Sequence, residues 1–396
     1  MLSEVTLGKD SETGEIITIG DIERRSGLYI LGIPGSGKTT LIKSIIVQDI
    51  LHDHGVLFLD PHGDAIDDLK KHMPIERQDD VILLDPTDKT QAFGINLLSC
   101  PNPTDLTERT RTYTRAYNVF KKVFADETGT WGPWMQLALE FTLRAFIENQ
   151  QFTLAEVPDF LNPKNTALRN YIVENIKYNP RAAAFWRDEF SRPEREQRER
   201  GSALLTRAQT LLGHEHVSHI VGQHETTLDF FEIMERRKIV FLKLPASLPD
   251  DIRQFIGTIL MSELVHAVRR REAIPEEKRQ QFCIFVDEFQ HFASSEDFNV
   301  LFMEGRKYAI ATTVAHQNRF GQFAGNRLIL GATDAAGNKL FFQMAVNDSQ
   351  EQAPTFAPLA EPSKQSQEAE MVLSSHPIKG YPLKAGHLYT TTVSGF

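Results

Sequence analysis

The sequence predicts an α/β fold, a mostly parallel central sheet with flanking helices that is interrupted by an all-helical insertion. Three observations predict it. Short apolar runs alternate with helical stretches from Gly27 to Leu84 and again from Lys238 to Met344, the pattern of strands joined by crossover helices. A glycine-rich turn lies between the first of these runs and the first of these helices. Between the two stretches, Thr104 to Glu235 carries helical periodicity and almost no strand signal.

Taken in order, residues 1–25 form a small β-rich lead-in with one strand at Glu15–Ile19. The main domain comes in two halves, 26–103 and 236–350. The first half offers strands at Gly27–Leu31, Val56–Leu59 and Val81–Leu84, with helices at Thr39–Leu51 and Asp64–His72. The insertion, 104–235, contains Met135–Asn149, whose apolar residues include Leu137, Leu139, Phe141, Leu143 and Phe146. Pro163, Pro180 and Pro193 punctuate the rest. The mixed charges of Arg192–Arg200 read as a solvated face, and Trp131-Gly132-Pro133-Trp134 as packing within the insertion. The second half offers a strand at Lys238–Leu242, a helix at Asp251–Arg271, and strands at Phe282–Val286, Ala309–Val314 and Lys339–Met344. Residues 351–396 form a polar tail.

Composition narrows the class. The chain has 396 residues, with 43 Lys and Arg against 53 Asp and Glu, a net charge of -10. That excludes a uniformly basic, DNA-coating surface and leaves room for nucleic acid in a local groove or pore. The run Arg269-Arg270-Arg271 reads as a helix end at the surface. Two cysteines, Cys100 and Cys283, exclude a disulfide framework and point to a reducing compartment, the cytoplasm. No stretch approaches the ~18 apolar residues of a membrane span.

Gly32-Ile33-Pro34-Gly35-Ser36-Gly37-Lys38-Thr39 fits the phosphate-loop pattern G-x-x-x-x-G-K-S/T completely, after a strand and at the start of a helix. The expected nucleotide-binding set is Gly32, Pro34, Gly35, Ser36, Gly37, Lys38, Thr39 and Thr40. Glycines let amides curl around phosphate oxygens, and a helix N-terminus adds partial positive charge. Lys38 is expected to neutralise the β- and γ-phosphates of ATP, and Thr39 to place its hydroxyl on Mg²⁺.

A second apolar strand, Phe282–Val286, ends in Asp287-Glu288. In a parallel sheet the ligand crevice lies beyond the carboxyl ends of the strands. Asp287 is therefore expected at the metal and Glu288 as the base that takes a proton from the attacking water. Gln317, just past the next strand, would contact γ-phosphate and water. Arg306 precedes that strand, where an arginine alone reads as a surface residue.

These residues resemble the HerA–FtsK superfamily of ring-forming ATPases, most closely its conjugative coupling-protein branch of type IV secretion. The resemblance spans about Gly8 to Phe356. Its pieces are the phosphate loop, Leu59-Asp60-Pro61-His62-Gly63-Asp64, Leu228-Asp229-Phe230-Phe231-Glu232, Ile239-Val240-Phe241-Leu242-Lys243-Leu244-Pro245, Val286-Asp287-Glu288-Phe289-Gln290, Gly305-Arg306-Lys307-Tyr308 and Ala315-His316-Gln317. The resemblance implies a RecA-like motor domain assembled as a homo-hexamer around DNA. By position it implies that Arg306 reaches the neighbouring subunit's nucleotide and that Gln317 is the sensor glutamine. It also makes Asp60 an acidic neighbour of the phosphate loop, near Mg²⁺ through water. One departure is plain: coupling proteins carry N-terminal membrane helices, and none is present in this sequence. It is then a relative without the anchor, a HerA-like translocase, or a trimmed chain.

Two cargoes stay open. The chain reads as an ATPase that translocates DNA, or as a type IV secretion ATPase that handles a protein. In the second case the insertion grips a partner such as a relaxase, nuclease or secretion component. A scaffold that binds ATP without hydrolysing it has no use for the carboxylate of Glu288.

Overall fold

The computed structural model describes residues 3–11, 13–88, 93–124, 131–289, 296–319, 327–356 and 387–389. Gln290 and most of the tail beyond Phe356 lie outside them. The chain divides into two compact units, Met1–Leu83 with Phe230–Pro245 and Leu264–Phe396, and Leu84–Asp229 with Ala246–Glu263.

The first unit is built on a sheet. Its strands are β3 (Leu28–Leu31), β4 (Gly55–Asp60), β5 (Val81–Leu84), β6 (Ile239–Lys243), β7 (Phe282–Val286), β8 (Ile310–His316), β9 (Asn338–Phe341) and β10 (His387–Tyr389). Their spatial order is β10-β9-β3-β8-β7-β4-β6-β5. The pairings from β10 across to β6 are parallel. Every residue of β3, β4, β7 and β8 is buried, as a sheet covered on both faces requires. This is why β3, β4 and β7 read as near-continuous apolar runs rather than alternating ones, while β8 buries Thr312 and Thr313 in its middle. The α/β expectation with a parallel sheet holds.

The lead-in is a two-stranded antiparallel ribbon, β1 (Glu4–Lys9) against β2 (Ile16–Gly20). β1 was not expected. Its signal is the alternation that buries Val5 and Leu7 and exposes Glu4 and Thr6. Val5, Leu7 and Ile19 join a core with Ile42, Ile45 and Ile46 of the helix α2 (Lys38–Leu51), after the short helix α1 (Asp21–Arg24), and with Phe58, Phe241 and Phe285 of the sheet. At roughly 1.5–3 kcal/mol per fully buried large side chain, this face is the main source of the unit's stability.

A buried ion pair braces the far end of α2. Arg24 Nη1 and Nη2 donate to the two carboxylate oxygens of Asp49 at 2.6 and 2.7 Å. Burial alone would raise the Asp49 pKa; the Arg24 guanidinium overrides it and holds the carboxyl at about 2. His54 and Cys283 lie close by, their potential ligand atoms and those of Asp49 within 4.8 Å of one another. Arg24 bonds both Asp49 oxygens and His54 Nδ1 lies 3.3 Å from Oδ1, so these three side chains brace one another.

The expected surface run Arg269–Arg271 needs correction. Arg269 and Arg270 are exposed, but Arg271 is fully buried. It donates to Glu235 Oε1 at 2.9 Å, to the Tyr308 carbonyl at 2.7 Å and to the Gln280 carbonyl at 2.5 Å. A guanidinium spent on two carbonyls and a carboxylate stitches loops together and is withdrawn from any DNA contact.

The second unit is helical among its described residues. Leu106–Phe124, Pro133–Ile147, Pro180–Ser191 and Glu194–Leu212 are its long helices, together with the first part of Asp250–Arg270. Gly132 caps the helix that Pro133 opens, where a missing amide proton costs nothing. Its core is aromatic: Phe160 meets Phe146, Trp186 and Phe190 at ring-centroid distances of 5.4, 5.1 and 5.3 Å, all edge to face. Trp131 and Trp134 are half-buried against Phe124 and Phe185. Among the described residues no helix is long and apolar enough to cross a membrane.

Candidate active site at the carboxyl ends of the strands

The register of the sheet assembles the site. Leu31 of β3 lies level with His316 of β8, Val314 of β8 with Val286 of β7, and Val286 with Leu59 of β4. The residues that follow these positions therefore emerge at one edge: the phosphate loop, Gln317, Asp287-Glu288, and Asp60. β8 stands between β3 and β7, so Gln317 falls between the loop and the acidic pair.

The loop is held open by its glycines. A Cβ on Gly32 would sit 2.6 Å from Phe342 Cβ, so no side chain fits there. Around Gly35 there is open space, and there the backbone sets the requirement: Gly35 and Gly37 have φ of 74° and 102°, which L-residues rarely adopt. The Ile33 amide donates to the Gln343 carbonyl at 2.7 Å, tying the loop to the segment after β9. Sequence reading missed Phe342 and Gln343; nothing in their identity marks them, because they act through backbone and bulk. Pro34 and Thr40 are exposed on the loop and the first turn of α2.

Lys38 is buried and donates from Nζ to the Gly32 carbonyl at 2.7 Å and the Ile33 carbonyl at 3.1 Å. Burial draws its pKa down, and Asp287 and Glu288 pull it back up. Thr39 donates its hydroxyl to Asp287 Oδ2 at 2.7 Å. Burial pushes the Asp287 carboxyl up, with Asp60 and Glu288 adding to the push against the Thr39 hydroxyl and the Glu288 amide.

Glu288 has φ of 48°, left-handed for a residue with a side chain. Gln317 Nε2 donates to its Oε1, and His62 Nε2 lies 3.3 Å from its Oε2. Asp60 is buried, and its two oxygens accept from the amides of His62 at 2.9 Å and Ala65 at 3.0 Å. It thus pins the turn between β4 and the helix α3 (Asp64–Lys71). His62 was not among the expected site residues; its signal was its place two residues past the end of β4.

Arg306 is exposed on the one-turn helix Gly305–Tyr308, before β8. The seven residues of β8, rising about 3.3 Å each, put it roughly 20 Å from the Gln317 end. It is thus the one expected site residue that the fold does not bring to the others.

The residues fit a nucleotide and Mg²⁺. The buried Ser36 Oγ has no hydrogen-bond partner among the described residues, and a hydroxyl facing a carboxylate is the hard-oxygen pair that Mg²⁺ favours.

No family model and no curated protein matches the chain. Solved structures do. The plasmid coupling protein TrwB in complex with ADP and Mg²⁺ superposes with a TM-score of 0.61 at 14% identity, covering 88% of this chain and 77% of that one. TrwB with the GTP analogue GDPNP gives 0.59 at 15%, covering 85% and 75%. VirB4 of Thermoanaerobacter pseudethanolicus gives 0.60 at 16%, covering 95% and 92%. At such identities the likeness is one of fold. In fold, then, this chain is similar to the RecA-like P-loop NTPases TrwB and VirB4, as the motifs led one to expect.

Proposed function

We propose that the chain is an ATPase, the subunit of a homo-hexameric ring in the cytoplasm that moves DNA through its pore. One observation carries this reading: Thr39 bonded to Asp287 at 2.7 Å beside Glu288 bonded to Gln317, all at the mouth of the phosphate loop. That is a metal-ligand pair next to a base and a sensor, the parts phosphoryl transfer needs.

The triphosphate lies on the amides of Gly35 to Thr39. Lys38 leaves the Gly32 and Ile33 carbonyls for the β- and γ-phosphates. Thr39 and Asp287 would hold Mg²⁺, which would supply charge neutralisation at the phosphates. Glu288 accepts the proton of the attacking water, and Gln317 reports the γ-phosphate to the rest of β8. Arg306 lies too far from its own loop and serves the nucleotide of a neighbouring copy. TrwB, a coupling protein of the same fold, is seen with ADP and Mg²⁺, which supports the nucleotide and metal parts.

A second reading is a protein-handling ATPase. The net charge of -10 favours it. Two measurements test the proposal. Glu288→Gln is expected to bind ATP as the wild type does while turnover falls about 10²–10⁴-fold; undiminished turnover removes Glu288 from the mechanism. DNA is expected to stimulate hydrolysis with a steep salt dependence, as phosphate-backbone contacts require. Hydrolysis indifferent to DNA selects the protein-handling reading.

A further inference from the structure

We propose that His62 is a positioning residue for the Glu288 carboxylate, a role that rests on reading Glu288 as the base. Two features of Glu288 call for such a residue. Its backbone is left-handed, with φ of 48°, a conformation that persists only where the surroundings over-determine it. Its side chain ends in a torsion that is intrinsically broad, so contacts rather than the torsion itself set the plane of the carboxylate.

The plane is fixed from two sides. Gln317, from the segment after β8, donates to Oε1, and His62 Nε2, from the turn after β4, stands 3.3 Å from Oε2. With the proton on Nε2, His62 donates. A carboxylate oxygen has two lone pairs. Gln317 and His62 thus each hold one oxygen, and together they orient the carboxylate toward the site of water attack.

The position of His62 is itself built. The Asp60 carboxylate, buried at the end of β4, accepts from the His62 amide at 2.9 Å and from the Ala65 amide at 3.0 Å. Gly63 takes φ of 83° to close the turn, and the Lys243 side chain lies where a Gly63 Cβ would meet it at 3.2 Å. Lys243 is in turn paired with Asp67 of α3 at 2.5 Å. The imidazole, by contrast, is 59% exposed. Its removal opens no cavity, so its effect is readable apart from folding.

The test uses the full chain and steady-state ATP hydrolysis. His62→Ala is expected to lower kcat about tenfold, the scale of a misaimed reacting group, with KM for ATP within about twofold of wild type. His62→Gln keeps an N–H donor at similar reach and is expected to recover most of the loss. The double variant His62→Ala with Gln317→Ala is expected to lose more than the product of the single losses, because each partner limits the freedom the other leaves. Wild-type kcat in His62→Ala overturns the proposal, as does a raised KM at unchanged kcat, which puts His62 in nucleotide binding. Failure of His62→Gln to recover activity overturns the donor role. Glu288→Gln separates the two readings. If it is inactive while His62→Ala is unimpaired, only His62 falls; if it turns over normally, both fall.

Discussion

The sheet unit and the helical unit of this chain solve different problems, and their backbones say so. Every described residue with positive φ lies in the sheet unit: Gly14, Gly27, Gly35, Gly37, Gly63, Asp53, Arg237, Glu288 and Ala309. Of these, Gly35, Gly37, Gly63 and Glu288 belong to the strand ends that carry the phosphate loop, the acidic pair and the His62 turn. The helical unit keeps ordinary backbone throughout its described residues and concentrates its specificity in side chains, with Phe160 at the centre of an aromatic cluster. Left-handed backbone at a residue with a side chain is retained where the surroundings over-determine it. Generic burial needs none. The comparison sets a unit with left-handed backbone at the proposed site, among other turns, against one whose specificity lies in side-chain packing.

The strongest way to sharpen that contrast is through the one residue of the proposed machinery that lies away from the strand ends. Arg306 sits in an exposed turn at the opposite end of β8. If it completes a neighbour's site, Arg306→Ala is expected to lose roughly 10³–10⁵ in hydrolysis rate. Mixing it with Lys38→Ala protein is then expected to restore part of the activity, since one boundary regains an intact loop facing an intact arginine. Absence of any recovery in the mixture confines the chemistry to one copy.

The same contrast explains what could be read beforehand. The core strands were legible because β3, β4 and β7 are buried on both faces and so read as near-continuous apolar runs, and β8 because β-branched Ile310, Thr312, Thr313 and Val314 fill it. The phosphate loop was legible because its spacing is dictated by backbone geometry, which leaves glycines in the sequence. β1 was overlooked because its alternation is short and its exposed positions are charged or hydroxylic. Arg271 was misplaced because it is next to two exposed arginines, and nothing in a run of three identical residues says which one turns inward. His62 and Gln343 escaped for opposite reasons. His62 acts through a ring on a short turn, whereas Gln343 acts through its carbonyl, which any residue would supply.

The helical unit offers the next test. Phe160 is fully buried among Phe146, Trp186 and Phe190. Phe160→Ala is expected to destabilise that unit by about 3–5 kcal/mol. All three tryptophans of the chain, Trp131, Trp134 and Trp186, lie in this unit, so their fluorescence follows its melting selectively. Below that transition ATP turnover is expected to stay at the wild-type level. A loss of turnover without unfolding would break the division of labour drawn here and give the helical core a part in the chemistry.

The smallest effect is expected on the charged face of the same unit. Arg195 pairs with Glu199 at 3.0 Å, one turn along the helix, with side chains 90% and 64% exposed. Such a pair gains little, because water screens it and holding two long side chains in one geometry has an entropic cost. Arg195→Ala is therefore expected to move the tryptophan-monitored midpoint by less than about 1 °C in the isolated protein. Were the midpoint to fall by several degrees, this face would be engaged by something other than solvent. The mixed charges from Arg192 to Arg200 would then be a contact surface rather than a solvated one.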